Sequence, residues 1–231
     1  MVKHIGIVAC SAEGAALCYT TICLESQDIL GKFEHPEITM HSPPFSEYML
    51  HIQNGDWKKV GELMVKSAEI VSKAGAEFAI CPDNTIHEKI AYNLVLERSP
   101  IPFLHIAEVV AEEAKEKEFN RLGILGTKYL MGSEIYPEAL NKMKIKCVFP
   151  SEEDKLKIDK IIFTELVNGL FLEESRFYFN EIIRAFKESG CDGVVLGCTE
   201  IPLLINPDDC PLPILDSTRL LARMAIKTAM K

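Results

Sequence analysis

Two short segments of this 231-residue chain carry side chains that can move protons, and the segments are copies of one another. Residues 75–87 read GAEFAICPDNTIH and residues 190–202 read GCDGVVLGCTEIP. Laid on Gly75 and Gly190, they align without a gap. In each copy an acid, Glu77 or Asp192, leads into an apolar run that ends in a small polar cluster. Asp83 then stands opposite Cys198, and Asn84 and Thr85 stand opposite Thr199 and Glu200. A carboxyl and a thiol both exchange protons, with reference pKa values of about 3.9 and 8.5. Two such groups on opposite sides of a carbon acid can serve in turn as base and acid. Desolvation in a closed site would raise the carboxyl and narrow the gap between them.

Each of these residues has a bland reading beside the chemical one. Cys198, between a strand and an expected helix start, would have its thiolate favoured by nearby main-chain N–H groups. It could also be a buried thiol capping an apolar run. Gly197 before it would leave room for close approach by a ligand. Asp83 or Asn84 could be no more than the N-cap of the following helix. His87 either orients Asp83 or is a satisfied histidine at a helix start. The register match between the copies is what favours a site.

The elements that must position these groups alternate between short β-type runs and amphipathic helical stretches, the pattern of parallel sheets covered by helices. Strands are predicted at Ile5–Cys10, Ile38–His41, Phe78–Cys81, Pro100–Leu104, Leu122–Leu125, Cys147–Phe149, Val194–Leu196 and Pro211–Leu215. Helices are predicted at Ala15–Ile29, Val60–Lys73, Ile106–Glu118, around Ile158–Val167, at Phe177–Lys187 and at Ser217–Met230. Apolar residues of the second helix recur with the 3.6-residue period, and Gly75 is good stopping chemistry. The starts HIGIVACS at 4–11 and RLGILGT at 121–127 repeat at nearly the interval of the two site copies. The reading is therefore a duplicated α/β unit. Lobe 1 is taken as residues 1–98 plus 208–231 and lobe 2 as 99–207, with the Pro-rich stretches near 99–102 and 206–213 as crossings. Ligands of open parallel sheets sit beyond the carboxyl ends of the strands, where Ser11, Asp83, Thr127 and Cys198 all fall. Lobes facing each other would put Asp83 and Cys198 across one cleft.

Composition narrows the partners. A net charge of −9 without a Lys/Arg block argues against nucleic acid. No apolar run approaches the ~20 residues that span a bilayer, and Ile5–Ala9 is too short for a signal h-region. A cytoplasmic protein with no membrane association is expected. The eight cysteines show no CxxC or Cys/His pairing, so no zinc or other metal is expected, and Cys18, Cys23, Cys147 and Cys191 read as small core residues. No GxGxxG or phosphate loop is present, so the sheet pattern does not imply a nucleotide.

The GCTEIP segment, the NT-x-H after the first copy, the IGI start and the GILGT segment together resemble the aspartate/glutamate racemase superfamily, over essentially the whole chain. That resemblance implies an α/β fold of two pseudo-symmetric Rossmann-like lobes with parallel sheets and the active site between them. It implies proton transfer at Cα without a cofactor, and a homodimer. The family's paired thiols correspond here to Asp83 and Cys198, a variant with Asp at the first position. Asn84, Thr85, Thr127 and Thr199 carry over as contacts to the substrate carboxylate and amino group, and Ser11 and Glu200 join them as substrate-binding residues. The family's GGMGPEAT opening is replaced by ACSAEGA at 9–15. Aspartate-specific members carry an Arg near Tyr48 and a Lys near Val167, so a side chain other than that of aspartate is expected, although His51 or Lys128 could supply a charge. The sequence thus points to an amino-acid racemase or epimerase, an isomerase with a small-molecule substrate. Two alternatives stand beside it. One is a decarboxylase or lyase of the same superfamily with Cys198 as proton donor. The other is a binding protein that has lost one base.

Overall fold

The computed structural model describes residues 2–231. It divides into two compact units, Met1–Val109 with Thr218–Lys231, and Val110–Ser217. The first unit contains β1 (Ile5–Val8), α1 (Ala12–Glu25), α2 (Gln27–Leu30), β2 (Ile38–His41), α3 (Phe45–Gln53), α4 (Trp57–Lys73) and β3 (Phe78–Ile80). A 3-10 turn at Thr85–His87 follows, then α5 (Lys89–Arg98), β4 (Phe103–Leu104) and the first residues of α6 (Ile106–Glu116). The second unit runs through β5 (Arg121–Leu125), α7 (Lys128–Met131), α8 (Ile135–Lys142), β6 (Lys146–Val148), α9 (Glu152–Thr164), α10 (Glu173–Glu188), β7 (Gly193–Leu196), α11 (Ile201–Leu204) and β8 (Ile214–Asp216). α12 (Ser217–Ala229) carries the chain back into the first unit.

Each unit holds one four-stranded parallel sheet, in the orders β2-β1-β3-β4 and β6-β5-β7-β8. These are the same topology, so the duplication read from two loops extends to whole units. β1 and β7 are buried at every position, as strands covered on both faces must be. In the second unit Leu125, Val194, Leu196, Phe179, Ile183 and Phe186 form part of one core cluster between sheet and helices.

The matched features of the two copies have matched causes. α4 and α10 end at Gly75 and Gly190, whose φ angles of 108° and 86° suit glycine. The acids that follow bind main-chain donors at the head of the neighbouring strand. Glu77 accepts from His4 N at 3.1 Å, and Asp192 accepts from Asn120 N at 2.7 Å and Arg121 N at 3.0 Å. Those N–H groups precede or open β1 and β5, so a carboxylate in each copy stitches one strand to the next. Helix packing is close in both. A Cβ on Gly6 would lie 2.7 Å from Val71, and one on Gly123 would lie 2.2 Å from Phe186.

The lobe boundaries expected from sequence need correction. Phe103–Leu104, assigned to lobe 2, pairs with β3 in the first sheet, Ala79 opposite Phe103 and Ile80 opposite Leu104. Ile214–Asp216, assigned to lobe 1, pairs with β7 in the second. The prolines read as crossings instead open edge strands. Pro102 accepts from Ala79 N at 2.8 Å and Pro213 from Val194 N at 2.9 Å. Lacking an N–H, proline can accept but not donate, and the first residue of an edge strand is where that is tolerated. The units change over inside α6 and at the start of α12. The helix expected after Asn84 forms as the 3-10 turn and α5, whereas α3 has no counterpart among the helices expected from sequence. α3 opens after two prolines and follows a strand with no helix-like period, although Phe45, Tyr48 and Ile52 do share one face.

Candidate active site

In the first unit, β1 and β3 are neighbours, and the residues beyond their carboxyl ends supply Ser11 and Asp83. Ser11 caps α1, its Oγ accepting from Gly14 N at 3.4 Å. Asp83 is half-buried, and its Oδ1 accepts from Ile86 N at 3.4 Å. Asn84 is buried, and Thr85 opens the 3-10 turn. The Asp83 main-chain carbonyl accepts from His87 Nδ1 at 2.7 Å. His87 therefore meets the residue through its backbone, not through the carboxylate. Burial, then His105, pushes the His87 pKa down to about 3 against the pull of the Asp83 and Leu104 carbonyls.

Two neighbours of Asp83 carry polar atoms into the core. Cys81 is fully buried, and burial, reinforced by the Asp83 charge, pushes its thiol well above the ordinary range. It cannot stand in for the thiol the resemblance would put at Asp83, because the nucleophilic and basic form of cysteine is the thiolate. Tyr48 of α3 is also fully buried, and its hydroxyl has no hydrogen-bond partner. Burial raises its pKa, and Cys81, Cys10 and Asp83 add to the effect. The nearby Ser67 hydroxyl, which pairs with His41 Nδ1 at 2.9 Å, offsets part of that rise. Tyr48 is thus a neutral hydroxyl in the Asp83 neighbourhood. It stands at the position where the resemblance puts an Arg in aspartate-specific members.

In the second unit, β5 and β7 are neighbours, and beyond their ends stand Thr127 and Cys198. Thr127 caps α7, its Oγ1 accepting from Leu130 N at 3.2 Å, as Ser11 caps α1. Cys198 is half-buried, between buried Gly197 and buried Thr199. Its Sγ donates to Glu200 Oε2 at 2.9 Å. Glu200 is 3 % exposed, so this carboxylate faces the thiol with little competing water. α11 is a single turn that begins three residues later, whereas Glu200 is a proton acceptor in direct contact. Gly197 also has another reason than ligand access. A Cβ there would sit 2.9 Å from Leu125 O and 2.5 Å from Leu130, because Gly197 N bonds that same carbonyl at 2.7 Å.

The charges considered for a second substrate carboxylate are engaged within their own units. Lys128 Nζ lies 3.5 Å from Asp159, which also accepts from Lys128 N, and His51 lies 4.0 Å from Asp56. Val167 packs against the core of the second unit.

A half-buried proton-active side chain thus follows the third strand of each of two identically ordered sheets. The model of the Asp/Glu/hydantoin racemases matches residues 13–225. The chain belongs to that family. Its racemases are isomerases, and their solved structures share the two-sheet α/β fold. A Yersinia pestis protein solved as an Asp/Glu racemase candidate is 31 % identical over 99 % of this chain and 100 % of its own, with a TM-score of 0.90. An aspartate racemase homologue from Pyrococcus horikoshii is 29 % identical over the full length of both chains, with a TM-score of 0.86. Among curated proteins, the broad specificity amino-acid racemase RacX of Bacillus subtilis is 21 % identical over 84 % of this chain and 82 % of its own. For this racemase-family chain, the described residues gather no group of three or more His, Cys, Asp or Glu side chains arranged to hold a metal. No described helix is long and apolar enough to cross a membrane.

Proposed function

We propose that the protein racemises or epimerises an amino acid without a cofactor, with Asp83 and Cys198 exchanging protons with the two faces of the substrate Cα. The observation that carries this reading is the register: both groups follow the third strand of the same four-stranded topology. In one direction the Asp83 carboxylate takes the Cα proton and the Cys198 thiol delivers one to the opposite face. In the other the thiolate takes it and the Asp83 carboxylic acid delivers. Glu200, hydrogen-bonded to the thiol at 2.9 Å, can accept the proton that must leave sulfur before the second direction begins. Asn84, Thr85 and Thr199 supply donors for the α-carboxylate. An acid and a thiol are not matched bases, so the two directions should run at unequal rates.

Family membership and a broad-specificity relative support an amino-acid substrate. The neutral Tyr48 hydroxyl, together with the pairing of Lys128 and the packing of Val167, favours an uncharged side chain over that of aspartate. A second carboxylate buried without a cation costs several kcal/mol. One observation favours a second reading. Asp83 Oδ1 caps the turn at Ile86, a role that leaves Cys198 to act alone, as in a decarboxylase that reprotonates an enolate.

A panel of amino acids incubated in D₂O with the enzyme separates these readings. NMR should show loss of the α-proton from both enantiomers of at least one neutral amino acid, and faster than from aspartate. Carbon dioxide release without α-exchange would establish the lyase reading instead. Binding with neither outcome would leave a binding protein.

A further inference from the structure

We propose that His87 is a positioning residue for Asp83, a fixed Nδ1–H donor that holds the Asp83 main chain and with it the aim of the carboxylate. The inference rests on the acid/base role given to Asp83 above. The bond is short, 2.7 Å from Nδ1 to the carbonyl oxygen. A carbonyl only accepts, so the ring proton must be on Nδ1, the less common tautomer of a free imidazole. Nε2 is then buried without a hydrogen bond of good geometry, with the Leu104 carbonyl as the other acceptor that acts on the ring.

The two copies show what this bond replaces. In the second copy the Cys198 carbonyl accepts from Ile201 N at 3.2 Å, an ordinary turn bond. In the first copy the matching N–H, that of Ile86, goes to the Asp83 carboxylate instead. His87 donates to the Asp83 carbonyl from a position where the second copy has Pro202, which has no donor. Asp83 is thereby gripped at both its side chain and its backbone, through two residues of one turn.

The ring's orientation is set in turn by its surroundings. His87 meets His105 edge-on at 4.9 Å and Tyr92 tilted at 5.5 Å. His105 Nδ1 accepts from Ala107 N at 3.2 Å, and the Tyr92 hydroxyl donates to Phe103 O at 3.3 Å. Both flanking rings are therefore anchored on the main chain around β4, and they fix the Asp83 turn relative to the neighbouring strand. A space-filling role does not explain an imidazole here. Burying its second nitrogen without a hydrogen bond of good geometry is unfavourable, and a leucine or phenylalanine would avoid that. Burial also keeps the ring neutral, so it acts on Asp83 as a dipole and not as a counter-ion.

The test compares His87→Asn, whose amide nitrogen falls near the Nδ1 position, with His87→Gln, whose nitrogen falls near Nε2, and with His87→Leu. With the best substrate of the amino-acid panel, His87→Asn should keep kcat within a few-fold of the parent. His87→Gln and His87→Leu should lose kcat by on the order of 10²-fold with little change in KM, the signature of a misaimed group. Equal kcat in all three variants and the parent would overturn the proposal. Ring ¹⁵N NMR of the unmodified protein gives a measurement independent of variant folding. It should show His87 protonated at Nδ1, and an Nε2–H ring would overturn the assignment. Asp83→Asn is measured in parallel. If it is inactive while His87→Gln behaves as the parent, only the positioning role fails. If Asp83→Asn turns over at the parent rate, the role of Asp83 fails first.

Discussion

The two copies of the strand-end motif differ in which atoms of the same turn hold the reactive residue. At Cys198 the backbone closes its own turn, Ile201 N to Cys198 O, and the side chain is left to a buried carboxylate, Glu200. At Asp83 the carboxylate occupies the turn's N–H, and an imidazole holds the backbone. One copy therefore presents a thiol with its own proton acceptor, and the other a carboxylate with its own N–H donor. The difference teaches that the Asp-for-Cys contrast between the copies extends to the residues around it. Thr85 stands opposite Glu200 and His87 opposite Pro202, so each copy surrounds its proton-active side chain with different partners. A carboxylate needs donors, whereas a thiol that must give up its proton needs an acceptor.

The sharpest way to break the comparison is to remove the thiol. Cys198→Ser should lower racemisation by about 10³-fold, since a hydroxyl is far too weak an acid to replace it, and polarimetry in both directions measures this. Asp83→Asn should cost about 10²-fold, because the amide keeps the shape but carries no transferable proton. Asp83→Cys should keep or raise activity and bring the two directional rates together, as two like groups share one pKa range. If Asp83→Asn racemises as fast as the parent, Asp83 is a turn cap and Cys198 works alone. Glu200→Gln should slow catalysis roughly tenfold or more, mostly in the direction that begins from thiolate, because an amide cannot take the sulfur proton.

Two stability measurements sharpen the contrast further. The unfolded chain protonates His87 near pH 6.5, but the folded chain refuses the proton until about pH 3. Stability from this group is thus present above about pH 6.5 and is lost as pH falls toward 3. Urea unfolding should show the parent losing ~2 kcal/mol more than His87→Asn between pH 7 and pH 5. No such term exists at Pro202. The smallest effect is expected at the paired acids. Asp192→Asn should cost about 1–3 kcal/mol, and Glu77→Gln somewhat less, since Asp192 accepts from two main-chain N–H groups and Glu77 from one. Equal losses in thermal unfolding would show that the second bond at Asp192 adds nothing.

Much of this was legible in the sequence. Strand and helix periods, the stops at Gly75 and Gly190, and the alignment of Asp83 with Cys198 are local patterns, and local patterns survive in one dimension. The errors cluster where local chemistry has two outcomes. A proline between apolar runs marks either a crossing or the first residue of an edge strand, and only the pairing of Ala79 with Phe103 and of Leu196 with Asp216 decides it. The resemblance marks the Tyr48 position, but the burial of its hydroxyl near Asp83 comes from α3, a helix whose start signal is weak.

By itself the sequence determined the α/β class, the duplication, the positions of the proton-active side chains at strand ends and the family resemblance. These follow from hydrophobic period and turn chemistry, which act over a few residues. Tertiary structure alone decided the hydrogen bonds around those side chains: Glu200 against the thiol, Ile86 N against the carboxylate and His87 against the Asp83 carbonyl. Each depends on angles within a turn and on burial by distant elements. A glutamate two residues from a cysteine can point anywhere until the packed core excludes every other direction and most of the water.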